Sequence, residues 1–206
     1  RKLEAEMKAN FEACMAEVFK HEGGYVNDPH DPGGETNMGI SKRSYPKENI
    51  RGMTRERAAQ IYRKDFWDKL KCDDLPAGLD LVAFDAGVNS GPARGAKWLQ
   101  QAVGVTADGK IGPATLMAAK STYAPAAVMR AVGFRKSFLM QLPTWERYKK
   151  GWLARLASIE KVAGEMAGHD IPVRPDVEPV APQPAAVWWW SAFWKIVDQF
   201  TKKWRT

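Results

Sequence analysis

The chain has 206 residues, 45% of them hydrophobic and 27% charged, so it can bury a core and is not disordered throughout. Its 31 Lys and Arg exceed its 24 Asp and Glu by a net charge of +7. This excess favours an anionic partner, such as nucleic acid, an anionic membrane or an acidic cell-wall polymer. The two cysteines, Cys14 and Cys72, exclude a disulfide framework and a Cys-x-x-Cys zinc site, and they leave a single bridge open.

The predicted elements are mostly helices. Apolar residues recur at steps of three and four from Leu3 to about His21, which predicts an amphipathic helix that ends before the pair Gly23-Gly24. Residues 25–40 are rich in Gly, Pro, Asn and Asp and predict a loop with a short hairpin. We therefore expect a mostly α-helical fold with a small irregular or β region after the first helix. The remaining helical patterns cover residues 54–70, 76–88, 92–103, 113–120, 125–142 and 145–168.

The C-terminal residues differ from the rest in composition. Residues 171–186 contain five prolines among Val, Ala and acidic residues, which predicts an extended linker. Residues 187–206, the tail, hold five of the nine tryptophans and a net charge of +3. This favours contact with an anionic membrane or lipopolysaccharide, while docking on an apolar groove of the body or of another copy stays open. The residues assigned to membrane contact are Trp188, Trp189, Trp190, Trp194, Lys195, Lys202 and Lys203.

Glu22 is the first candidate for catalysis. A carboxyl group that emerges from an apolar helix end into a cleft can stay protonated near neutrality, and the glycines after it let a substrate approach the backbone. A loop returning past the helix end could place Asp31 or Thr36 opposite Glu22 with a water between them. That is the layout of an inverting glycosidase, whose two carboxyl groups stand about 6.5–9.5 Å apart. Alternatively, Glu22 is a surface residue, and Asp28, Asp31 and Glu35 only form turns.

Two stretches resemble a known family. Residues 21–41, HEGGYVNDPHDPGGETNMGIS, resemble the signature of glycoside hydrolase family 108, which is roughly E-G-G-Y followed by D-P-G-G-x-T-x-x-G-I. Members are lysozyme-like N-acetylmuramidases, found as phage endolysins and as secretion-associated muramidases. Residues 84–118 resemble the peptidoglycan-binding-type second half of the same family through the elements V-N-x-G, L-Q-x-A-x-G and D-G-x-x-G-P-x-T. Together the matches span about residues 15–160.

The resemblance implies a fold and a reaction. It implies a lysozyme-like α+β body over residues 1–170, with a peptidoglycan-binding-type second half at 84–165, before the linker and the tail. It also implies hydrolysis of the β-1,4 bond between N-acetylmuramic acid and N-acetylglucosamine, with Glu22 as general acid. The order of Glu22, Asp31 and Thr36 is similar to the Glu-Asp-Thr arrangement of T4-type phage lysozymes, in which Asp and Thr position the attacking water. The interval from Asp to Thr is one residue shorter here.

The sequence also predicts the partners and the cellular context. No cofactor and no metal are implied, and we expect a monomer whose partner is peptidoglycan. A phage endolysin of this kind is expected to wait in the host bacterial cytoplasm and to reach periplasmic peptidoglycan after another protein opens the inner membrane.

Residues His21, His30 and His169 form no H-E-x-x-H motif, which argues against a zinc peptidase. Nucleic-acid binding would rest on charge alone and is not expected. The alternative function is a non-catalytic wall-binding or membrane-disrupting lysis protein that acts through the tail.

Several residues are candidates for substrate binding. Asp85 and Asn89 lie four apart on a predicted helix and share a side, so they either bind saccharide groups or cap the helix end. Tyr25 either stacks on a sugar ring or is an ordinary half-buried aromatic. Asn37 and Gly39, within the first motif, are also assigned to substrate binding. Four aromatics of the second half are expected in the core rather than in a sugar platform: Phe134, Phe138, Trp145 and Trp152.

Overall fold

The computed structural model describes residues 2–27 and 34–168, so Asp31, the linker and the tail lie outside the described residues. Within these ranges the chain divides into two compact units. One comprises Val18–Ile61 and is called the hairpin unit below. The other comprises residues 2–17 and 62–168 and is called the helical unit.

The described residues form seven α-helices and one two-stranded sheet, which confirms the mostly α-helical, lysozyme-like fold. None of the described helices combines the length and the apolarity needed to cross a membrane. The helices are α1 Lys2–His21, α2 Arg55–Tyr62, α3 Leu79–Ser90, α4 Pro92–Val103, α5 Pro113–Ser121, α6 Ala124–Met140 and α7 Trp145–Met166. The strands are β1 Thr36–Asn37 and β2 Ile40–Ser41.

Two predicted helices differ from the observed ones. The helix predicted over residues 54–70 stops at Tyr62, and a π-helical turn, Arg63–Trp67, follows it. The helix predicted from residue 76 begins at Leu79, because Gly78 adopts a φ of 86° immediately before it. A Cβ at Gly78 would lie 2.2 Å from the carbonyl oxygen of Ala163, so contact with α7 requires glycine there.

Helix α3 is the centre of the helical unit. Its sequence is nearly continuous in apolar residues, and every side chain from Leu79 to Ser90 except that of Asn89 is buried. It packs against α4, α6 and α7. A Cβ at Gly95 would lie 2.7 Å from the backbone nitrogen of Gly87, so α3 and α4 approach each other more closely than side chains would allow.

The L-Q and D-G-x-x-G-P-x-T elements of the second motif are joined by hydrogen bonds of the Gln100 side chain. The side chain of Gln100, which is 2% exposed, donates to Asp108 Oδ1 at 2.7 Å and to Thr115 Oγ1 at 3.2 Å. Its carbonyl oxygen accepts from the backbone of Gly109 at 2.8 Å, and Asp108 also accepts from the backbone of Lys110. The L-Q and D-G-x-x-G-P-x-T elements therefore hold the connection between α4 and α5 in one conformation.

The two cysteines are free thiols in the interior of the helical unit. Cys14 lies on α1, and Cys72 begins the short 3-10 turn Cys72–Asp74. Burial raises the pKa of both thiols, and the neighbouring charge of Asp80 raises it further. Both groups therefore stay protonated at neutral pH and act as small apolar core residues.

Candidate active site

Glu22 is the first residue after α1, and only 7% of it is exposed. The chain continues through Gly23 and Gly24, and a Cβ at Gly24 would meet nothing within 4 Å. A buried carboxyl group therefore lies two residues before a glycine that has open space at its Cβ position.

The hairpin that follows has a tight two-residue turn. Asn37 pairs with Ile40, and Met38 and Gly39 between them have φ values of 45° and 76°. Positive φ at both central residues is the mark of a type I′ turn, whose twist matches that of the flanking strands. The structure thus places Gly39 in the turn that closes the hairpin, and its predicted contact with substrate stays a prediction.

A short bridge brings the hairpin back to the segment after Glu22. The backbones of Val26 and Thr36 donate to each other's carbonyl oxygens, both at 2.8 Å. Val26 lies four positions after Glu22, and four residues of extended chain span at most about 14 Å. The Thr36 side chain, 8% exposed, donates to the carbonyl oxygen of Gly34 at 3.3 Å. The bridge therefore joins the returning loop to the segment after Glu22, and the pairing of Glu22 with Thr36 stays a prediction.

Asn37 lies beside Thr36 on β1 and is also buried. Its side-chain nitrogen donates to the carbonyl oxygen of Ile50 at 3.1 Å. This bond ties the hairpin to the loop that precedes α2, where Thr54 accepts from the backbone of Arg57 and begins the helix. Asn37 thus supports the site's backbone, and its predicted contact with substrate is untested.

Tyr25 presents an aromatic ring at the surface of the hairpin unit. It is 39% exposed, and its hydroxyl donates to Glu35 Oε1 at 2.8 Å. The guanidinium carbon of Arg51 lies 5.7 Å from the ring centroid. The hydrogen bond to Glu35 raises the pKa of Tyr25, so the hydroxyl stays protonated. Sequence reasoning missed Arg51 because nothing in its local sequence points to Tyr25.

Asp85, in the helical unit, is completely buried. Arg155 donates to its Oδ1 at 2.6 and 2.9 Å, and Arg135 forms an ion pair with its Oδ2. Burial alone would raise the pKa of Asp85, but the two guanidinium groups hold it well below its usual range. Arg135 also donates to Asn89 Oδ1 at 3.0 Å. Asp85 therefore offers a saccharide no accessible acceptor, which corrects its expected place on a cleft floor; it anchors α6 and α7 to α3.

Comparison with known proteins finds a family match for each of two consecutive regions of the chain. Residues 15–91 match the family described as Glycosyl hydrolase 108, and residues 94–157 match a predicted peptidoglycan domain. No curated protein matches the chain. Among solved structures, the chain is similar to that of Brucella abortus SagA, with 38% sequence identity and a TM-score of 0.70. The match covers 78% of this chain and 97% of that one.

The chain belongs to glycosyl hydrolase family 108. The resemblance drawn from the two motifs is thereby confirmed. Membership makes the chain a lysozyme-like glycoside hydrolase that acts on peptidoglycan. The first matched region contains Glu22, Thr36 and the hairpin, and the second contains the Gln100 loop.

Proposed function

We propose that this family 108 hydrolase cleaves the β-1,4 bond between N-acetylmuramic acid and N-acetylglucosamine, with Glu22 as general acid. The supporting observation is the buried position of Glu22 at the end of α1, beside the open backbone of Gly24. A carboxyl group in such a place can act as the proton donor to the oxygen of a glycosidic bond.

The reaction needs one proton donor and one water. Glu22 transfers its proton to the leaving oxygen of N-acetylglucosamine while the bond to the anomeric carbon of N-acetylmuramic acid breaks and positive charge develops on that sugar. Water adds to the anomeric carbon, and its proton passes to a nearby base or to solvent. Thr36, held beside the segment after Glu22 by the bridge to Val26, orients this water.

Asp31 is proposed as the second group on the sequence pattern alone, since it lies outside the described residues. As a carboxylate it would accept the proton of the attacking water. If Asp31 only shapes the turn, Glu22 works with Thr36 and a water that passes its proton to solvent. The exposed ring of Tyr25, with Arg51 beside it, is proposed to stack on a sugar of the bound strand.

The tail is proposed to contact an anionic membrane or lipopolysaccharide while the body acts on periplasmic peptidoglycan. Its support is the combination of five tryptophans with a net charge of +3 in residues 187–206. An amphipathic segment of this composition gains from burying aromatic rings at an interface and from attraction to anionic headgroups.

Mass spectrometry of the fragments released from purified peptidoglycan tests the reaction. Wild-type protein should release fragments with N-acetylmuramic acid at the reducing end. Reducing-end N-acetylglucosamine would contradict the proposed bond, and anhydro-muramic ends would contradict hydrolysis.

The variant Glu22→Gln should release about 10³-fold less or nothing, because the proton donor is lost. The matched variant Glu56→Gln, at an exposed position of α2, should behave as wild type. Equal release by Glu22→Gln and wild type would refute the assignment of Glu22.

A further inference from the structure

In the helical unit, arginine and phenylalanine side chains lie along the face that α4 and α6 share. Arg94 of α4 places its guanidinium carbon 4.5 Å from the ring centroid of Phe138 on α6. Farther along, Arg130 of α6 donates to the carbonyl oxygen of Ala102 on α4 at 2.8 Å. The two helices therefore run antiparallel, with a guanidinium near each end of their shared face. We call Arg94, Arg130, Phe134 and Phe138 the α4–α6 strip.

The aromatic residues of this strip do not form the core that the sequence predicts. Phe134 is 39% exposed, so its expected core position is wrong. Phe138 is half-buried, and buried Trp98 contacts its ring with centroids 5.5 Å apart. Trp152, by contrast, is buried as expected. Phe134 thus exposes part of a large ring to water four positions before the half-buried Phe138 on α6.

The spacing of the strip is regular. Arg130, Phe134 and Phe138 follow each other at steps of four on α6, so they share one face of the helix. With a rise of 1.5 Å per residue, they extend over about 12 Å. Neither Arg94 nor Arg130 has a carboxylate partner among residues 10–27 and 34–168, whose side chains the structure describes. The strip therefore offers aromatic rings together with two guanidinium groups that have no carboxylate partner in that part of the chain.

Such an arrangement fits a glycan that carries acidic groups. The face of an aromatic ring packs against the apolar face of a sugar, and guanidinium groups bind carboxylates in a bidentate fashion. Peptidoglycan supplies both features, since its sugars bear stem peptides with free carboxylates. The tail and a second copy of the chain fit less well, because they carry net charges of +3 and +7, the same sign as the strip.

We propose that the α4–α6 strip binds intact peptidoglycan, with Phe134 against a sugar ring and Arg94 and Arg130 on stem-peptide carboxylates. The proposal rests on the proposed function for its substrate, and it gives the helical unit the role of holding the polymer. Such a site raises the effective concentration of polymer at the active site. We therefore expect it to increase the rate of hydrolysis of sacculi and not that of short soluble fragments.

Co-sedimentation of the full chain with purified sacculi tests this, with Glu22→Gln in every protein so that the polymer stays intact. Phe134→Ala should raise the dissociation constant for sacculi about tenfold. Phe134→Leu should raise it nearly as much, because both substitutions remove the planar ring. Phe134→Tyr should bind as the parent does. The matched control is Tyr123→Ala, since Tyr123 is an aromatic residue 64% exposed outside the strip. Parent-like binding by both Phe134→Ala and Phe134→Leu would overturn the proposal.

The cations are tested in the same assay. Arg130→Gln should weaken binding and reduce its salt dependence, whereas Lys120→Gln, an exposed cation on α5, should leave both unchanged. Vesicles containing phosphatidylglycerol provide a second surface. Loss of vesicle binding by Phe134→Ala equal to its loss on sacculi would assign the strip to lipid and refute the proposal.

Activity measurements separate this proposal from the proposed function. With Glu22 restored, Phe134→Ala should keep its turnover of short soluble glycan fragments and lose about tenfold on dilute sacculi. A wild-type protein that hydrolyses neither substrate would refute the proposed function, while the sedimentation result would still decide the role of the strip.

Discussion

Val26 and Thr36 exchange both of their backbone hydrogen bonds at 2.8 Å, and this bridge joins the segment after Glu22 to the first strand of the hairpin. The position of Thr36 therefore depends on the hairpin holding its register. The turn at Met38 and Gly39 sets that register, since both residues have positive φ. Changes in the turn should consequently act on catalysis through Thr36.

Gly39→Ala should destabilise the protein by about 1–2 kcal/mol, because an L side chain at a φ of 76° is strained. It should also lower the rate of peptidoglycan hydrolysis, since Thr36 depends on the same turn. Urea denaturation and a turbidity assay measure the two effects. Gly112→Ala is the control: Gly112 has a φ of −115° and open space at its Cβ position, so this variant should match wild type. Equal stability of the two variants would contradict the role of the turn.

Asp85→Asn should cost about 3–5 kcal/mol at neutral pH, because it leaves Arg135 and Arg155 buried without a counter-charge. The two guanidinium groups hold the pKa of Asp85 below its unfolded value of about 3.9, so its stabilising contribution is present above that pH. The contribution is lost as the pH falls through the folded-state pKa. Chemical denaturation between pH 7 and pH 2 measures this.

A surface ion pair provides the comparison for Asp85. Glu146 pairs with Lys149, and its side chain is 78% exposed. Glu146→Gln should therefore leave the stability at neutral pH unchanged within error, since exposed pairs contribute little. A loss as large as that of Asp85→Asn would mean that burial of the pair is not what matters.

Asp80 should make stability fall with rising pH near neutrality. It is fully buried, and burial raises its pKa to about 7 even though the backbone amide of Leu81 and the Asn10 side chain donate to its carboxyl group. The folded state thus holds a proton that the unfolded state releases near pH 4. The stability contributed by this proton is complete below the unfolded pKa and is lost as the pH rises through 7.

Asp80→Asn removes this titration and keeps the shape of the side chain. Its free energy of unfolding should change by less than that of wild type between pH 4 and pH 8, with a difference on the order of a few kcal/mol. Urea denaturation at several pH values gives both slopes. A variant with the slope of wild type would show that Asp80 does not titrate in this range.

Ending the chain at His169 should leave hydrolysis of purified peptidoglycan nearly intact, because the site residues and the α4–α6 strip remain. The same truncation should weaken lysis of whole Gram-negative cells and binding to anionic liposomes, as the tail carries five tryptophans and a net charge of +3. Substituting Trp188, Trp189 and Trp190 with Ala in the full chain separates aromatic insertion from charge. Liposome binding that survives both changes would count against the membrane role.

Features that depend on neighbouring residues were predictable. Helix α4 begins at Pro92 and ends at Val103 as expected, because proline suits the first turn and Gly104 takes the left-handed conformation that ends the helix. The hairpin within residues 34–41 and the place of Glu22 at a helix end likewise follow from local sequence. The family could be inferred for the same reason, since both of its motifs are contiguous.

Features that depend on residues distant in the sequence could not be predicted. The partners of Asp85 lie 50 and 70 positions away, so no local pattern separates a buried ion-pair anion from a saccharide ligand. Phe134 follows the apolar spacing of a core residue, yet the packing of α6 against α4 leaves it in water. Amino-acid order by itself thus determined most of the helices, the hairpin and the family with its candidate acid, because these rest on short-range preferences. Folding decided which polar groups are buried with partners and which rings face solvent, because those outcomes depend on what the rest of the chain brings alongside.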